Sequence, residues 1–469
     1  MRHSNLVLSV CVLLIATTQI VVAQKKPNII LIYSDDHGWA DLGAQGVNKD
    51  IKTPNLDAMA KDGVLFSHGY VTAPQCVPSR AGVLSGIYQQ KIGVEQNGDP
   101  SMALSVITIP ERLKEAGYVS CQVGKWHLDN PEGKNAKAKA GDNSKPTAAF
   151  QPKDQGFDEY YNGQMNTIQA SHDFKGNKLE PGNNRITDNR FRCVWQADAG
   201  MQFIKRHANK DPFFLYLAFF TPHVPLESPE PWFSKTPTDL PLERRQALAM
   251  IAAMDEGIGN LRKTLKEEGI EKNTIIFFIG DNGAPLRPGA WNGSLNLPLT
   301  GEKGMLTDGG IRTPFLAVWP GTFPAGKVYD PAVSSLDVAA TALAVAGLPK
   351  DNLDGVNILP FVSGKSKGNP HEALFWRWRS QAAVLSGKYK FVMVGPDEKY
   401  LFDTTIADGE TKNLIKSQPK IATDLEAKLM TWNATLPAPG LPRPTNLADD
   451  KFFDFHVEKN ENSSQPKKK

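Results

Sequence analysis

The chain has 469 residues, with 53 Lys and Arg against 50 Asp and Glu, a formal net charge of +3 and 41% hydrophobic residues. At about 100–200 residues per domain this allows two to four units, or one large α/β core with an appendage. The 22% of charged residues in near balance excludes whole-chain disorder and a general nucleic-acid-binding surface, and four cysteines in so long a chain exclude a disulfide framework of the small secreted kind.

Residues 1–23 read as a secretory signal. Arg2 and His3 precede an apolar run over 6–16, and Val21-Val22-Ala23-Gln24 sets cleavage after Ala23. Thr17, Thr18 and Gln19 interrupt the apolar stretch, and no other segment approaches the ~20 apolar residues that a membrane span requires. Export, to the periplasm or the medium, is therefore expected over anchoring. Cys11 is no lipid-attachment site, because Leu8-Ser9-Val10 lacks the usual small residue before it.

Residues 28–33 form a continuous apolar run that predicts a strand buried on both faces, ending at Ser34-Asp35-Asp36. Thr53-Pro54 starts a helix that Gly63 ends, and 64–66 is the next strand. The same grammar recurs at Thr108, Pro110, Glu111 and Gly117, with a strand over 118–123. The stretch 130–149, rich in Gly, Lys, Asn and Ala, reads as a long loop or flexible insertion. Residues 212–220 predict another buried strand. Met250, Ile251, Met254, Ile258, Leu261 and Leu265 recur at helical spacing, predicting a long helix with one buried stripe. Strands at 274–279 and 315–319 and a helix at 336–346 complete an alternation that implies a large, mostly parallel, doubly wound sheet flanked by helices. From 373 to 403 short strands separated by turn residues predict a small antiparallel sheet, followed by a helix at 421–432. The expected organisation is thus a signal at 1–23, a catalytic α/β domain at 24–353, a smaller C-terminal subdomain at 354–445 and a tail at 446–469.

Two of the buried strands deliver oxygen-bearing pairs at their carboxyl ends, Asp35-Asp36 and Asp281-Asn282. Three carboxylates and an amide converging on one rim are the ligand set of a hard divalent cation, Ca²⁺ best and Mg²⁺ second. Taken singly, each pair is as well explained as a turn or helix cap. Gly124-Lys125 is no phosphate-binding P-loop, since Trp126 follows where Ser or Thr is needed, and no Gly-x-Ser-x-Gly elbow is present.

Between those pairs lies Cys76-Val77-Pro78-Ser79-Arg80, the Cys-x-Pro-Ser-Arg order of the formylglycine sulfatases. The chain resembles that family, part of the alkaline phosphatase superfamily, over nearly its whole length past the signal. Asp35-Asp36-His37-Gly38, the stretch from Gly117 to His127, Thr221-Pro222-His223, Gly301-Glu302-Lys303-Gly304, Gly309-Gly310-Ile311-Arg312-Thr313-Pro314 and Lys399-Tyr400-Leu401-Phe402-Asp403 all resemble its motifs. The resemblance implies an exported sulfuric ester hydrolase, arylsulfatase-like. Its Cys76 is converted to 3-oxoalanine (formylglycine) by a formylglycine-generating or sulfatase-maturating enzyme, and its substrate is a sulfate monoester on a saccharide or an aryl alcohol. It also implies that a hydrated aldehyde at position 76 attacks sulfur through one hydroxyl and releases sulfate through the other. Asp35, Asp36, Asp281, Asn282 and modified Cys76 would hold the metal, and Arg80 would steady the nucleophile. Lys125 and Lys303 would hold sulfate oxygens, His127 would take the proton of the second hydroxyl, and His223 would be the acid for the leaving oxygen. His37, His68 and His172 match less well and read as structural. Asp129 stands where many relatives have glycine, which bears on the substrate. Trp195, Trp291, Trp376 and Trp378 are candidates either for sugar stacking or for core anchors. Cys121 and Cys193 remain as thiols or a single bridge. Two other readings compete: a phosphonate monoester or phosphodiester hydrolase of the same superfamily, and a catalytically silent glycan-binding protein.

Overall fold

In the computed structural model of the chain, residues 25–130, 150–406, 409–444 and 453–458 are described. The signal at 1–23, nearly all of the insertion at 130–149 and the end of the tail lie outside them. Among the described residues, no helix is long and apolar enough to cross a membrane.

The predicted strand after the signal is β1 (Asn28–Asp35), buried at every position. It is followed by α1 (Pro54–Asp62), β2 (Val64–Phe66), β3 (Gly69–Tyr70), α2 (Cys76–Ser85), α3 (Ile109–Lys114) and β4 (Val119–Gly124). Then come β5 (Glu159–Asn162), β6 (Thr167–Ala170), β7 (Arg185–Thr187), α4 (Arg192–His207), β8 (Phe213–Pro222), α5 (Leu242–Glu267) and β9 (Thr274–Gly280). The large domain closes with α6 (Asp308–Ile311), β10 (Phe315–Val318), β11 (Lys327–Tyr329), β12 (Val333–Ser334), α7 (Asp337–Ala346) and α8 (Leu359–Val362). The elements β5 to β7, α2 and α4 were not expected from the sequence. In α2 the reason is visible: all ten residues are buried, so no polar face exists to set a period.

The main sheet runs β11-β2-β10-β9-β1-β8-β4-β5-β6-β7. Its centre, β9-β1-β8-β4-β5, is parallel throughout. The flanks are mixed, with β10 antiparallel to both β9 and β2, and β6 antiparallel to β5 and β7. The sheet is therefore less uniformly parallel at its flanks than the strand–helix alternation implies. Both faces are covered. Ile29, Leu31 and Tyr33 of β1 point into a core shared with α2, α3 and α7, while Ile30 and Ile32 point into a second core shared with α1, α4 and α5. A strand sandwiched in this way has to be apolar at every position, which is why β1, β8 and β9 read as unbroken runs.

The smaller sheet is β13 (Leu374–Trp378), β14 (Gln381–Ser386), β15 (Tyr389–Val394) and β16 (Glu398–Asp403), antiparallel in sequential order, with α9 (Pro419–Asn433) behind it. Trp376 and Trp378 turn from β13 into the main core, and α9 packs on the opposite face against Ala382, Val384 and Phe391. The two sheets are joined by buried charges: Lys390 of β15 lies 2.8 Å from both Asp308 of α6 and Glu410. Within the expected tail, Phe453 stacks on Tyr400 and His456 reaches Glu302 at 3.1 Å.

Candidate active site

Four adjacent parallel strands end on one rim, and each is followed at once by a polar residue: β1 by Asp36, β9 by Asp281, β8 by His223 and β4 by Lys125. Ligand sites of open α/β sheets lie at such carboxyl ends. The turn out of β4 depends on Gly124, at φ +90, where an added Cβ would lie 2.0 Å from the Ala218 carbonyl oxygen. Gly283 allows a similar approach, since a Cβ there would meet Gly309 O at 1.8 Å. Asp36 itself has φ +56, a left-handed conformation that aspartate tolerates better than most residues.

The first turn of α2 brings Cys76 to this rim. Its Sγ lies 3.4 Å from Asp35 Oδ1, 3.9 Å from Asp36 Oδ1 and 3.4 Å from Lys303 Nζ. Four cationic or ionisable groups interleave with the acids. Lys125 Nζ donates to Asp35 Oδ2 at 2.6 Å, and Lys303 Nζ donates to both oxygens of Asp36 at 2.6 and 2.8 Å. Arg80 donates to Asp281 Oδ2 at 2.7 Å, to the Lys125 carbonyl at 3.2 Å and to Tyr216 Oη at 3.3 Å. His223 Nε2 faces Asp36 Oδ2 at 3.6 Å. Asp281 also accepts the Asp36 amide at 3.0 Å, which ties the ends of β1 and β9 together.

Burial of so many charges moves their protonation equilibria. Burial alone would raise Asp35, yet Lys125, His223 and Arg80 outweigh it and hold the carboxyl well below the usual range. Asp281 goes the other way: burial and the neighbouring Asp35 charge push it up to about 7. Burial, then the Lys125 and Arg80 charges, lower His127; burial also lowers His223, against the pull of Asp35 and Asp36. The Cys76 thiol is pushed up by burial and the Asp281 charge. Opposed shifts packed into one place are the mark of a site built for charge handling.

The donor set fits a hard cation. Ligand atoms of Asp35, Asp36, Cys76 and His223 lie within 4.8 Å of one another. Asn282 Nδ2 donates to Asp36 Oδ1 at 2.6 Å, while its Oδ1 is buried with no hydrogen-bond partner among the described residues. A buried acceptor without a partner is expensive, and a cation among these oxygens would satisfy it.

All the residues singled out in the sequence, Asp35, Asp36, Cys76, Arg80, Lys125, His127, His223, Asp281, Asn282 and Lys303, meet at this rim or adjoin it. Nδ1 of His127 is buried without a partner among the described residues. His37 is structural, with Nδ1 3.0 Å from Ser34 Oγ and Nε2 2.7 Å from the Asp41 carbonyl. Similarly, His68 sits 3.0 Å from Ser67 Oγ and His172 3.5 Å from Glu159. Cys121 and Cys193 are separate buried thiols, the latter 2.9 Å from Thr221 Oγ1. Trp195 and Trp376 are core anchors, whereas buried Trp378 and half-buried Trp291 both line the pocket. Asp129 is raised by burial, against a hydrogen bond from Gln151.

Several supporting residues carried no motif. The Phe220 ring stacks under His223 at 4.8 Å, with Lys125 Nζ at 5.0 Å and the Arg192 guanidinium at 4.9 Å from its centroid. Arg192 also donates to the carbonyls of His223 and Pro225 at 3.1 and 2.8 Å, and Asn292 donates to the Asp36 carbonyl at 3.0 Å. Arg192 and Asn292 are side chains answering backbone oxygens, a relation with no signature in sequence.

A doubly wound sheet with acids and cations interleaved at the ends of its parallel strands, and a smaller antiparallel sheet docked beside them, defines a hydrolase of the alkaline phosphatase superfamily. Residues 27–348 match the sulfatase family model, and residues 301–434 match the model of the N-sulphoglucosamine sulphohydrolase C-terminal region. The chain belongs to the sulfatase family and is a sulfuric ester hydrolase. It is 33% identical to human N-acetylgalactosamine-6-sulfatase over 404 residues, 76% of this chain and 73% of that one. It is 29% identical to bovine arylsulfatase A over 470 residues, 86% of each. The crystal structure of Ps i-CgsB in complex with k-i-k-neocarrahexaose superposes with a TM-score of 0.76 at 29% identity, covering 92% of this chain and 97% of that one.

Proposed function

We propose that this chain is an exported sulfatase that releases sulfate from a sulfated saccharide, with Cys76 matured to formylglycine and a divalent cation, Ca²⁺ before Mg²⁺, held by Asp35, Asp36, Asp281 and Asn282. The observation that carries it is the placement of Cys76: a fully buried side chain at the start of α2, within 3.4 Å of both an Asp35 oxygen and the Lys303 ammonium. The saccharide part rests on the relatives, one named for N-acetylgalactosamine and one solved with a neocarrahexaose. The leader at 1–23 supports export.

When present, the aldehyde hydrate and the cation supply the oxygen nucleophile and charge neutralisation beside it. The chain's own residues do the rest. Lys125 and Lys303, now paired with Asp35 and Asp36, are placed to take sulfate oxygens as point charges. Arg80, held by Asp281, Tyr216 and the Lys125 carbonyl, cannot swing away and keeps positive charge beside position 76. His223 borders the cavity and donates a proton to the leaving oxygen. An arriving sulfate anion favours its charged form, offsetting the lowering caused by burial. His127 takes a proton through a ring nitrogen that nothing else engages among the described residues. Water and the ester thus become an alcohol, sulfate and a proton.

Mass spectrometry of the peptide containing Cys76, from protein co-produced with a formylglycine-generating enzyme, is expected to show the aldehyde. Cys76→Ala is expected to abolish sulfate release with the far-UV spectrum unchanged. Full activity in that variant would overturn the proposal, and faster turnover of a phosphodiester than of a sulfate ester would favour the phosphohydrolase reading.

A further inference from the structure

The segment that carries His223 is held from outside. His223 Nδ1 donates to the Val224 carbonyl at 2.7 Å. A carbonyl only accepts, so the ring hydrogen sits on Nδ1, and Nε2 is the nitrogen left to carry a transferable proton. His223 and Val224 both line the cavity of about 510 Å³ at the reaction centre. The direction in which Nε2 points therefore depends on where the Val224 carbonyl lies. Pro222 and Pro225 bring no amide hydrogen, so the segment has few donors of its own with which to fix that carbonyl.

Arg192 supplies what the segment lacks. It opens α4, and its side chain is 1% exposed. Its Nη2 donates to the His223 carbonyl at 3.1 Å and to the Pro225 carbonyl at 2.8 Å, one residue to either side of Val224. The guanidinium also lies 4.9 Å from the centroid of the Phe220 ring, on which the His223 imidazole stacks at 4.8 Å and 25°. As a charge it is poorly matched. The Glu227 carboxylate is 3.5 Å from Nε, beyond ordinary hydrogen-bond length, and Nε is buried with no hydrogen-bond partner among the described residues. Burying a cation chiefly against neutral carbonyls is expensive, and an apolar side chain of similar length would fill the space without that cost. What the guanidinium adds is a grip on both carbonyls.

We infer that Arg192 is a positioning residue for the leaving-group acid: by holding the carbonyls on both sides of Val224 it fixes the acceptor of His223 Nδ1, and so aims Nε2 at the leaving oxygen. The inference rests on the sulfatase reading, in which His223 protonates that oxygen, and goes beyond it by naming the residue that orients the histidine. As the sulfur–oxygen bond of the ester breaks, its electron pair stays on oxygen, Nε2 transfers its proton there, and the neutral ring keeps its hydrogen on Nδ1. Arg192 touches none of the reacting atoms. Its effect is felt where proton delivery limits the rate, with leaving groups too basic to depart readily as anions.

The test compares kcat for phenyl sulfate and 4-nitrophenyl sulfate in the matured, Ca²⁺-loaded enzyme. Phenolate is basic and needs the proton, whereas 4-nitrophenolate departs readily without it. Arg192→Met is expected to lower kcat for phenyl sulfate at least about tenfold, part of the roughly 10²–10⁴-fold that a general acid supplies, and kcat for 4-nitrophenyl sulfate less than about threefold, with KM little changed for either. Arg192→Lys, a point donor on a shorter chain, should recover part of the loss, and it carries the comparison alone if methionine costs the fold. Glu227→Gln should leave the ratio of the two rates unchanged, because the carbonyl contacts do the positioning. His223→Ala should show the same selective loss, and Arg192→Met added to it should change nothing further. Equal losses on both esters, or none, in the Arg192 variants alongside a selective loss in His223→Ala overturn the inference, as does a selective loss in Glu227→Gln. Equal losses on both esters in His223→Ala instead refute the acid role of that histidine, and the inference with it.

Discussion

At the scale of single residues the site is a balance of buried charges, and its stability and chemistry share the same atoms. Lys125 is 1% exposed and pairs with the Asp35 carboxylate at 2.6 Å. Removing one member of a buried pair typically costs about 3–5 kcal/mol, an effect reduced here because Arg80 also lies 3.7 Å from Asp35. Lys125→Met is therefore expected to lower the melting temperature of chelator-treated protein markedly, and to cut kcat for an aryl sulfate by at least about tenfold through the lost sulfate contact. Added Ca²⁺ should recover part of the melting temperature and none of the kcat. An unchanged melt in chelator would show that Asp35 does not depend on this lysine. These residues were legible in the sequence because each sits in a short run that resembles a sulfatase motif. Phe220, Arg192 and Asn292 were not, since they act through backbone carbonyls or ring contacts that no motif marks.

At the scale of elements, what matters is how each strand hands over to its functional residue. Gly124 is the sharpest case. A methyl group there is 2.0 Å from Ala218 O and the backbone sits at φ +90, so a larger residue must displace β4 from β8 just where the Lys125 amide donates to that same oxygen at 2.9 Å. Gly124→Ala is expected to destabilise by at least about 2 kcal/mol in urea titration. It should also lower kcat by moving Lys125, and a variant with wild-type stability and kcat would disprove the close approach. Buried strands were visible as apolar runs, and α1, α3, α5 and α7 through their caps or stripes. Helix α2 was invisible as an element although it holds the most telling motif, because burial on all sides erases the periodicity that marks a helix.

At the scale of the molecule, the two sheets are joined by ionic contacts that respond to pH. His371, just before β13, places Nε2 2.8 and 2.9 Å from the two oxygens of Asp337 at the start of α7. Burial would lower its pKa, but the Asp337 carboxylate outweighs that and raises it above the ordinary 6.5. A raised pKa contributes stability in full below the unfolded value of 6.5, and that contribution is lost as pH rises through the folded value. The difference in melting temperature between wild type and His371→Gln is therefore expected to be largest below pH 6.5 and to shrink as the pH rises. A difference that grows with pH would mean the imidazole is neutral in the folded protein. Lys390 between Asp308 and Glu410 is a second such joint, deeper and fully buried.

The sequence alone determined the alternating core, the small antiparallel sheet and the candidate site residues that the rim brings together. Apolar runs report burial directly, and a reaction needing acids, lysines and a cysteine in set motifs leaves short signatures. Only the tertiary structure decided that β9, β1, β8 and β4 lie side by side, so that residues separated by up to some 268 positions, Asp35 and Lys303, share one rim. It also decided which tryptophans are core only and that Trp291 and Trp378 line the pocket. Those facts depend on long-range packing and on side chains meeting backbone atoms, and neither leaves a period or a motif along the chain.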